Sequence, residues 1–216
     1  MTLVVYKTKK VLLMKILVTG FTPFGDEKTN PSQDIVSALP KSINGARIIP
    51  LIIPTVRFKS IQKICEVIEK EKPDVVISVG QAGGRFSITP ELVAINRDDY
   101  AISDNEGNQP IDETISLDGP AAYFTTLPIK EMVKQIRAHH IPAECSTTAG
   151  TFVCNHVFYG ISDYIYHHHL QIKNGFIHLP FSSVQALHHP HQPSLSMDEM
   201  QRGLELAISC CTRVKD

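Results

Sequence analysis

The sequence predicts an α/β protein: a three-layer α/β/α sandwich around a largely parallel, twisted sheet. Two observations carry this. Short apolar runs alternate along the chain with segments of helical period, the pattern of a parallel sheet covered on both faces. The 216 residues also fit one domain with a sizeable core, with no composition break, internal repeat or low-complexity linker. Residues 1–216 are therefore read as a single domain, with 1–13 as an N-terminal extension ahead of Met14.

The elements follow in order. Ile16-Leu17-Val18, ending at Thr19-Gly20, reads as the first strand. Asn30-Pro31-Ser32 starts a helix with Ile35, Val36 and Leu39 on one face, proline suiting the first helical turn. Ile48 to Ile53 is a second strand. Ile61, Ile64, Cys65 and Ile68 keep the i, i+3, i+4, i+7 spacing of a helix over 58–71, which places Cys65 on a core face. Residues 74–79 form a buried strand closing at Gly80. Ile129, Met132, Val133 and Ile136 mark a helix; Val153, Val157, Ile161 and Ile165 mark another over 154–166. The last strand is Gly175 to Pro180. Ser196-Met197-Asp198-Glu199 is a capping box opening a C-terminal helix that turns Met200, Leu204, Ala207, Ile208 and Cys211 inward. Cys210 and Cys211 read as packing and near-surface residues. The 81–126 stretch, rich in Gly, Asp, Asn and Pro, reads as functional loops or a small antiparallel excursion.

Composition excludes several classes of function. A formal net charge of −1 gives no electrostatic case for nucleic acid or an anionic membrane. No stretch approaches the roughly 20 apolar residues of a membrane span. The N-terminal apolar runs are broken by Lys7, Lys9, Lys10 and Lys15 and lack a small-residue cleavage site, so they do not read as a signal peptide, and the protein is expected in the cytoplasm. Five cysteines with no C-x-x-C pair argue against a disulfide framework and a structural zinc site. His167-His168-His169 and His188-His189-Pro190-His191 invite a metal reading. Adjacent helical histidines point apart, however, so adventitious binding is favoured over a functional site.

Three polar residues fall where an open α/β sheet places its sites, beyond the carboxyl ends of strands. His178 ends the 175–179 strand, Glu91 lies in the segment after the 74–79 strand, and Cys154 opens a helix. A helix N-terminus stabilises a thiolate and offers N–H groups to an oxyanion. Cys, His and an acid are the parts of a thiol-hydrolase triad. Taken singly, each also has a plain structural reading: Cys154 as a small core residue, His178 as a hydrogen-bonded core histidine, Glu91 as a solvated loop residue. Spacing alone does not decide between them.

Several ordered blocks do. They are Leu17-Val18-Thr19-Gly20-Phe21-Thr22-Pro23-Phe24-Gly25 with Asn30-Pro31-Ser32, Gly80-Gln81-Ala82-Gly83-Gly84-Arg85, and Ile88-Thr89-Pro90-Glu91. Then come Asp104-Asn105-Glu106-Gly107-Asn108-Gln109-Pro110-Ile111-Asp112, Ala149-Gly150-Thr151-Phe152-Val153-Cys154-Asn155 and Gly175-Phe176-Ile177-His178-Leu179-Pro180. Over almost the whole chain this resembles the pyroglutamyl peptidase I (pyrrolidone-carboxylate peptidase) family of cysteine peptidases.

The resemblance implies Cys154 as nucleophile, His178 as general base and then acid, and Glu91 as the group that orients the imidazole. It implies cleavage after an N-terminal L-pyroglutamyl residue, no metal or organic cofactor, pyroglutamyl peptides as substrates, and a homotetramer. The pocket it implies maps onto Phe21, Phe24, Thr55, Gln81, Ile102, Phe152 and Val153. Pyroglutamate is a neutral lactam without a free α-amine. A flat apolar slot from Phe21, Phe24, Ile102 and Phe152 suits the ring, with polar contacts from the Gln81 amide and nearby backbone. Phe21 and Phe24 can equally be read as core aromatics. A related thiol amidase, or a catalytically weakened, binding-only homologue, shares the same framework.

Two positions depart from the family's usual pattern. Leu92 and Ala101 stand where arginines are common, the second near the oxyanion site. A lost donor there removes a few kcal/mol of transition-state stabilisation. Ala101→Arg is therefore expected to raise turnover; an unchanged kcat would remove that position from the mechanism.

Overall fold

The computed structural model describes residues 13–212, so the 1–13 extension lies, but for its last residue, outside the described residues. The chain runs β1 (Lys15–Phe21), α1 (Pro31–Ala38), β2 (Ser42–Ile43), β3 (Ala46–Ile53), α2 (Lys59–Glu71), β4 (Val75–Gln81), β5 (Thr89–Pro90), β6 (Val93–Ile95) and β7 (Ala122–Phe124). It continues with α3 (Ile129–Ala138), α4 (Val153–His167), β8 (Lys173–Leu179), β9 (Phe181–Ser182), a 3₁₀ turn (Gln185–Leu187), β10 (Ser194–Leu195) and α5 (Met197–Cys211).

The main sheet has the order β2-β3-β1-β4-β8-β5. Its four central strands are parallel, and the two-residue edges β2 and β5 are antiparallel. Strand periodicity divides the core in two. Ile16, Val18, Ile77, Val79, Ile177 and Leu179 face one layer with α1, α3 and α5. Leu17, Val76 and Phe176 face the other with α2 and α4. This is the three-layer arrangement expected from the alternation of elements.

Local chemistry explains the element ends. Asn30 caps α1 by accepting the Ser32 N–H at 3.0 Å, and Pro31 occupies the first helical position. In α2 the buried face runs through Ser60, Ile64 and Ile68, with Ile61 and Cys65 half-buried beside it. The expected core face is thus turned by one position, and Cys65 sits at its edge. Helix α2 begins at Lys59 because Phe58 adopts φ 57°. Cys210 and Cys211 are both buried, at 5% and 1% exposure. The excursion in 81–126 is real: β6 pairs with β7 antiparallel, outside the main sheet.

The capping box is complete. Ser196 Oγ accepts the Glu199 N–H at 3.2 Å, and Glu199 Oε2 accepts the Ser196 N–H at 3.1 Å. Ser196→Ala is expected to lower unfolding free energy by about 1 kcal/mol, read by urea denaturation. A loss near zero would show that tertiary packing alone starts α5.

Candidate active site

The site is built on the pairing of β4 with β8. In parallel register Gly80 lies beside His178. Both share the sheet face of Val76 and Phe176, the face covered by α4. Helix α4 begins at Val153, so Cys154 is in its first turn. A Cβ built on Gly80 would lie 2.8 Å from Cys154 Sγ and 2.8 Å from Phe176 Cζ. The thiol therefore occupies space that any side chain at 80 would fill, next to the strand position paired with His178.

The acid arrives by a route that periodicity does not reveal. β5 adds to the open edge of β8, with Thr89 beside His178 and Pro90 beside Ile177, and the Glu91 N–H donates to Phe176 O at 2.9 Å. Glu91 is fully buried, and its Oε1 accepts His178 Nδ1 at 2.7 Å. A carboxylate only accepts, so Nδ1 carries the proton and Nε2 presents a lone pair.

Arg85, to which the sequence reading assigned no role, donates from Nη1 to the same Glu91 Oε1 and to Thr89 Oγ1. Its Nη2 donates to Thr148 O at 2.9 Å. A loop arginine has no period to announce it. The usable signal was chemical: a buried carboxylate needs a cation or several donors.

Burial sets the protonation states. It pushes the Cys154 thiol up to about 12; the Glu91 charge adds to this and Arg85 opposes it. Burial lowers the His178 imidazole against the upward pull of Glu91, with Arg85 adding to the lowering. Burial would raise Glu91, but the His178 hydrogen bond and charge, with Arg85, bring it below the usual range. With the thiol raised and the imidazole lowered, the resting pair is a thiol with a neutral imidazole.

The turn carrying Cys154 is tied down on both sides. Thr151 Oγ1 donates to Asp99 O at 2.7 Å, and the Asp99 N–H donates to Thr151 O at 3.1 Å. Asn155 exchanges bonds with the Ile95 N–H and C=O, each at 2.9 Å, and donates to Arg97 O at 2.9 Å. His156 Nδ1 donates to Asp98 Oδ2 at 2.8 Å, while its Nε2 accepts the Phe58 N–H at 3.0 Å. Arg57 Nε also donates to Asp98 Oδ2, at 2.8 Å.

The expected pocket residues separate into two groups. Phe24 and Phe152 are half-buried with ring centroids 5.6 Å apart, and Ile102 is 47% exposed. Phe21, expected as a slot wall, is instead a core aromatic, 1% exposed and packed 6.1 Å from the Phe176 ring. Val153 is fully buried. Thr55 donates its hydroxyl to Thr22 O at 2.7 Å, holding the first loop. Gln81 is buried, and its Oε1 accepts Gln185 Nε2 at 2.9 Å. Leu92 packs against the core of the α1, α3 and α5 layer, an apolar role that suits leucine. Ala101 is exposed; the neighbouring Tyr100 is buried with its ring 4.8 Å from Phe152.

Among the described residues no group of three or more His, Cys, Asp or Glu is placed to hold a metal ion. His189 stacks on Phe181 at 4.2 Å and bonds Glu27, tying the histidine-rich loop to the first loop.

A thiol at a helix start, an imidazole at a strand end and a buried carboxylate behind it, on an α/β/α scaffold, form the arrangement of a cysteine hydrolase. The family model for pyroglutamyl peptidase matches residues 14–214. A pyrrolidone-carboxylate peptidase of Clostridium perfringens is 55% identical over 195 residues, covering 90% of this chain and 92% of that protein. The crystal structure of pyroglutamyl peptidase I from Bacillus amyloliquefaciens superposes with a TM-score of 0.90 at 48% identity, covering 95% of this chain and 100% of that one. A mutant pyrrolidone carboxyl peptidase from Pyrococcus furiosus superposes at 0.88 with 37% identity, covering 91% and 97%. The chain belongs to the pyroglutamyl peptidase family of cysteine peptidases.

Gly80→Ala is expected to push Sγ and the Phe176 ring apart. Ångström-scale displacement of a reacting atom costs roughly 10²-fold in turnover, and overpacking costs about 1–3 kcal/mol in stability. Wild-type kinetics and unfolding in the variant would show that the sulfur is not seated on Gly80.

Proposed function

We propose that the protein hydrolyses the amide bond after an N-terminal L-pyroglutamyl residue of peptides and proteins, with Cys154, His178 and Glu91 as its catalytic groups. The observation that carries the assignment is the convergence on one point of the sheet. Cys154 Sγ sits over Gly80, the register partner of His178, whose Nδ1 is held by Glu91 at 2.7 Å. The names and close likeness of the relatives supply the substrate class.

The protonation states define the sequence of events. The half-buried thiol gives its proton to the neutral His178 Nε2 as sulfur attacks the pyroglutamyl carbonyl carbon. Glu91 holds the imidazole in the right tautomer and stabilises the imidazolium that forms. First-turn N–H groups of α4 have no partner within the helix, and no side chain caps it at Phe152, so they are available to the oxyanion. His178 then protonates the leaving amine, leaving a thioester. Finally it activates a water that hydrolyses the thioester and returns the proton to sulfur.

The lactam slot is assigned to Phe24, Phe152 and Ile102 at the surface, with Gln81 supplying polar contact. Phe21, Thr55 and Val153 support the slot from beneath. We read the protein as a cytoplasmic homotetramer. None of its five cysteines forms a disulfide among the described residues, which suits a reducing compartment. Exposed Phe124 and Tyr166, which line one surface cleft, give apolar area for contact between copies.

A pyroglutamyl-aminocoumarin substrate tests the assignment. The wild type is expected to release the fluorophore, and Cys154→Ser to lose at least about 10³-fold in kcat. A wild type that leaves this substrate intact would overturn the substrate class. Hydrolysis that survives in Cys154→Ser would overturn the nucleophile.

A further inference from the structure

Arg85 is joined to three parts of the site at once. It follows Gly84, which takes φ +84°, and its backbone N–H turns back to Ala82 O at 3.4 Å. This turn sends the side chain across the acid. One nitrogen serves Glu91 Oε1, the oxygen that already accepts His178 Nδ1 at 2.7 Å. The other serves Thr148 O at 2.9 Å, in the turn where Thr148 Oγ1 accepts the Gly150 N–H at 3.1 Å. That turn leads directly into the helix start carrying Cys154. No step of the proposed hydrolysis needs a cation at this place, yet the guanidinium is three-quarters withdrawn from solvent, with 24% side-chain exposure. Holding a guanidinium there without a purpose would be unfavourable.

We propose that Arg85 is a positioning residue of the triad: by sharing Glu91 Oε1 with His178 and clamping the Thr148 turn, it sets both the effective charge of the acid and the spacing between acid and nucleophile. The inference rests on the reading of Glu91, His178 and Cys154 as catalytic groups. Its physical content is a balance. An isolated buried carboxylate would draw a proton onto His178 in the resting enzyme and hold the thiol protonated more strongly. A cation on the same oxygen offsets both effects. The directions agree: burial and Glu91 raise the Cys154 thiol while Arg85 lowers it, and Arg85 adds to the burial that lowers His178. The titratable and charged groups that face the pair are Glu91, His178, Cys154 and Arg85 itself, contributed by the β5–β6 link, β8, α4 and the loop after β4.

The sign of the effect is the same for every titration. Removing the positive charge raises the pKa of both His178 and Cys154, so both limbs of the pH–rate profile move to higher pH. The test compares Arg85→Gln, which keeps a donor but loses the charge, with Arg85→Lys, which keeps the charge but loses the fork. Two readouts are taken across pH: kcat and KM on the pyroglutamyl substrate, and the iodoacetamide alkylation rate of Cys154, followed on its own peptide by mass spectrometry. Arg85→Gln is expected to shift both limbs and the alkylation midpoint upward by about one pH unit. Its kcat should fall about tenfold or more, with KM changed less than about twofold. Arg85→Lys is expected to return the midpoints toward wild type while kcat stays low, because the Thr148 clamp is missing. Unshifted midpoints in Arg85→Gln would overturn the electrostatic role, and a wild-type kcat in Arg85→Lys would overturn the clamp. Alkylation needs no substrate, so it decides the matter even if the pyroglutamyl assay fails. If Arg85→Gln does not fold, Arg85→Met takes its place in the charge comparison, unshifted midpoints there overturning the electrostatic role, and Arg85→Lys against wild type still tests the clamp.

Discussion

Residues on both sides of Cys154 hold a stretch of chain that lies between fifty and sixty positions earlier. Thr151 takes Asp99, Asn155 takes Ile95 and Arg97, and His156 takes Asp98. These bonds fasten the first turn of α4 to the segment that has just delivered Glu91. Without them the acid and the sulfur would belong to two independently moving pieces: an irregular excursion between β5 and β7, and a helix reached by a long connection. With them the excursion and the helix start form one body, which then docks on β4 and β8. The scaffold provides the sheet; these bonds make the excursion part of it. Within this network both nitrogens of the buried His156 are hydrogen-bonded.

Electrostatics in this body follow from how little water reaches it. Glu91 is fully buried and His178 is 3% exposed. Desolvation is the largest influence on Cys154, His178 and Glu91 alike, and it disfavours charge on each. Only the carboxylate, with an imidazole and a guanidinium on one oxygen, overcomes it. The site therefore rests with its charge concentrated at Glu91 and Arg85, a step behind the reacting atoms. Charge reaches the sulfur and imidazole only while a proton is moving, which is when a fixed carboxylate and first-turn N–H groups stabilise most.

Much of this was legible in the sequence, for identifiable reasons. The regular elements carry their own period or cap: Asn30 and Pro31 before α1, the capping box before α5, the four-residue steps of α4. Cys154 was visible as a cysteine at a helix start and His178 as a polar residue closing an apolar strand, but neither position by itself singled out a catalytic role; the ordered family blocks did. What escaped has no local signature. β5 is two residues long and is recruited by the free edge of β8, so nothing in its own composition announces it. Arg85 lies in a loop with no period to mark it, Asp98 and His156 act through each other across fifty-eight positions, and His156 sits among apolar residues that define α4 without it. Phe21 illustrates the opposite error. Its place in a glycine-flanked loop suggested a wall of the slot, but it is the last residue of β1, and strand geometry turns its ring inward onto Phe176.

The missing side chain at Gly80 has one more consequence. On the side of Gly80 the sulfur is backed by the main chain of β4 and the edge of the Phe176 ring. The sheet therefore leaves the sulfur no room to retreat on that side, and access to it is from the side away from β4. The side from which Cys154 can be reached is, in this sense, a property of a glycine.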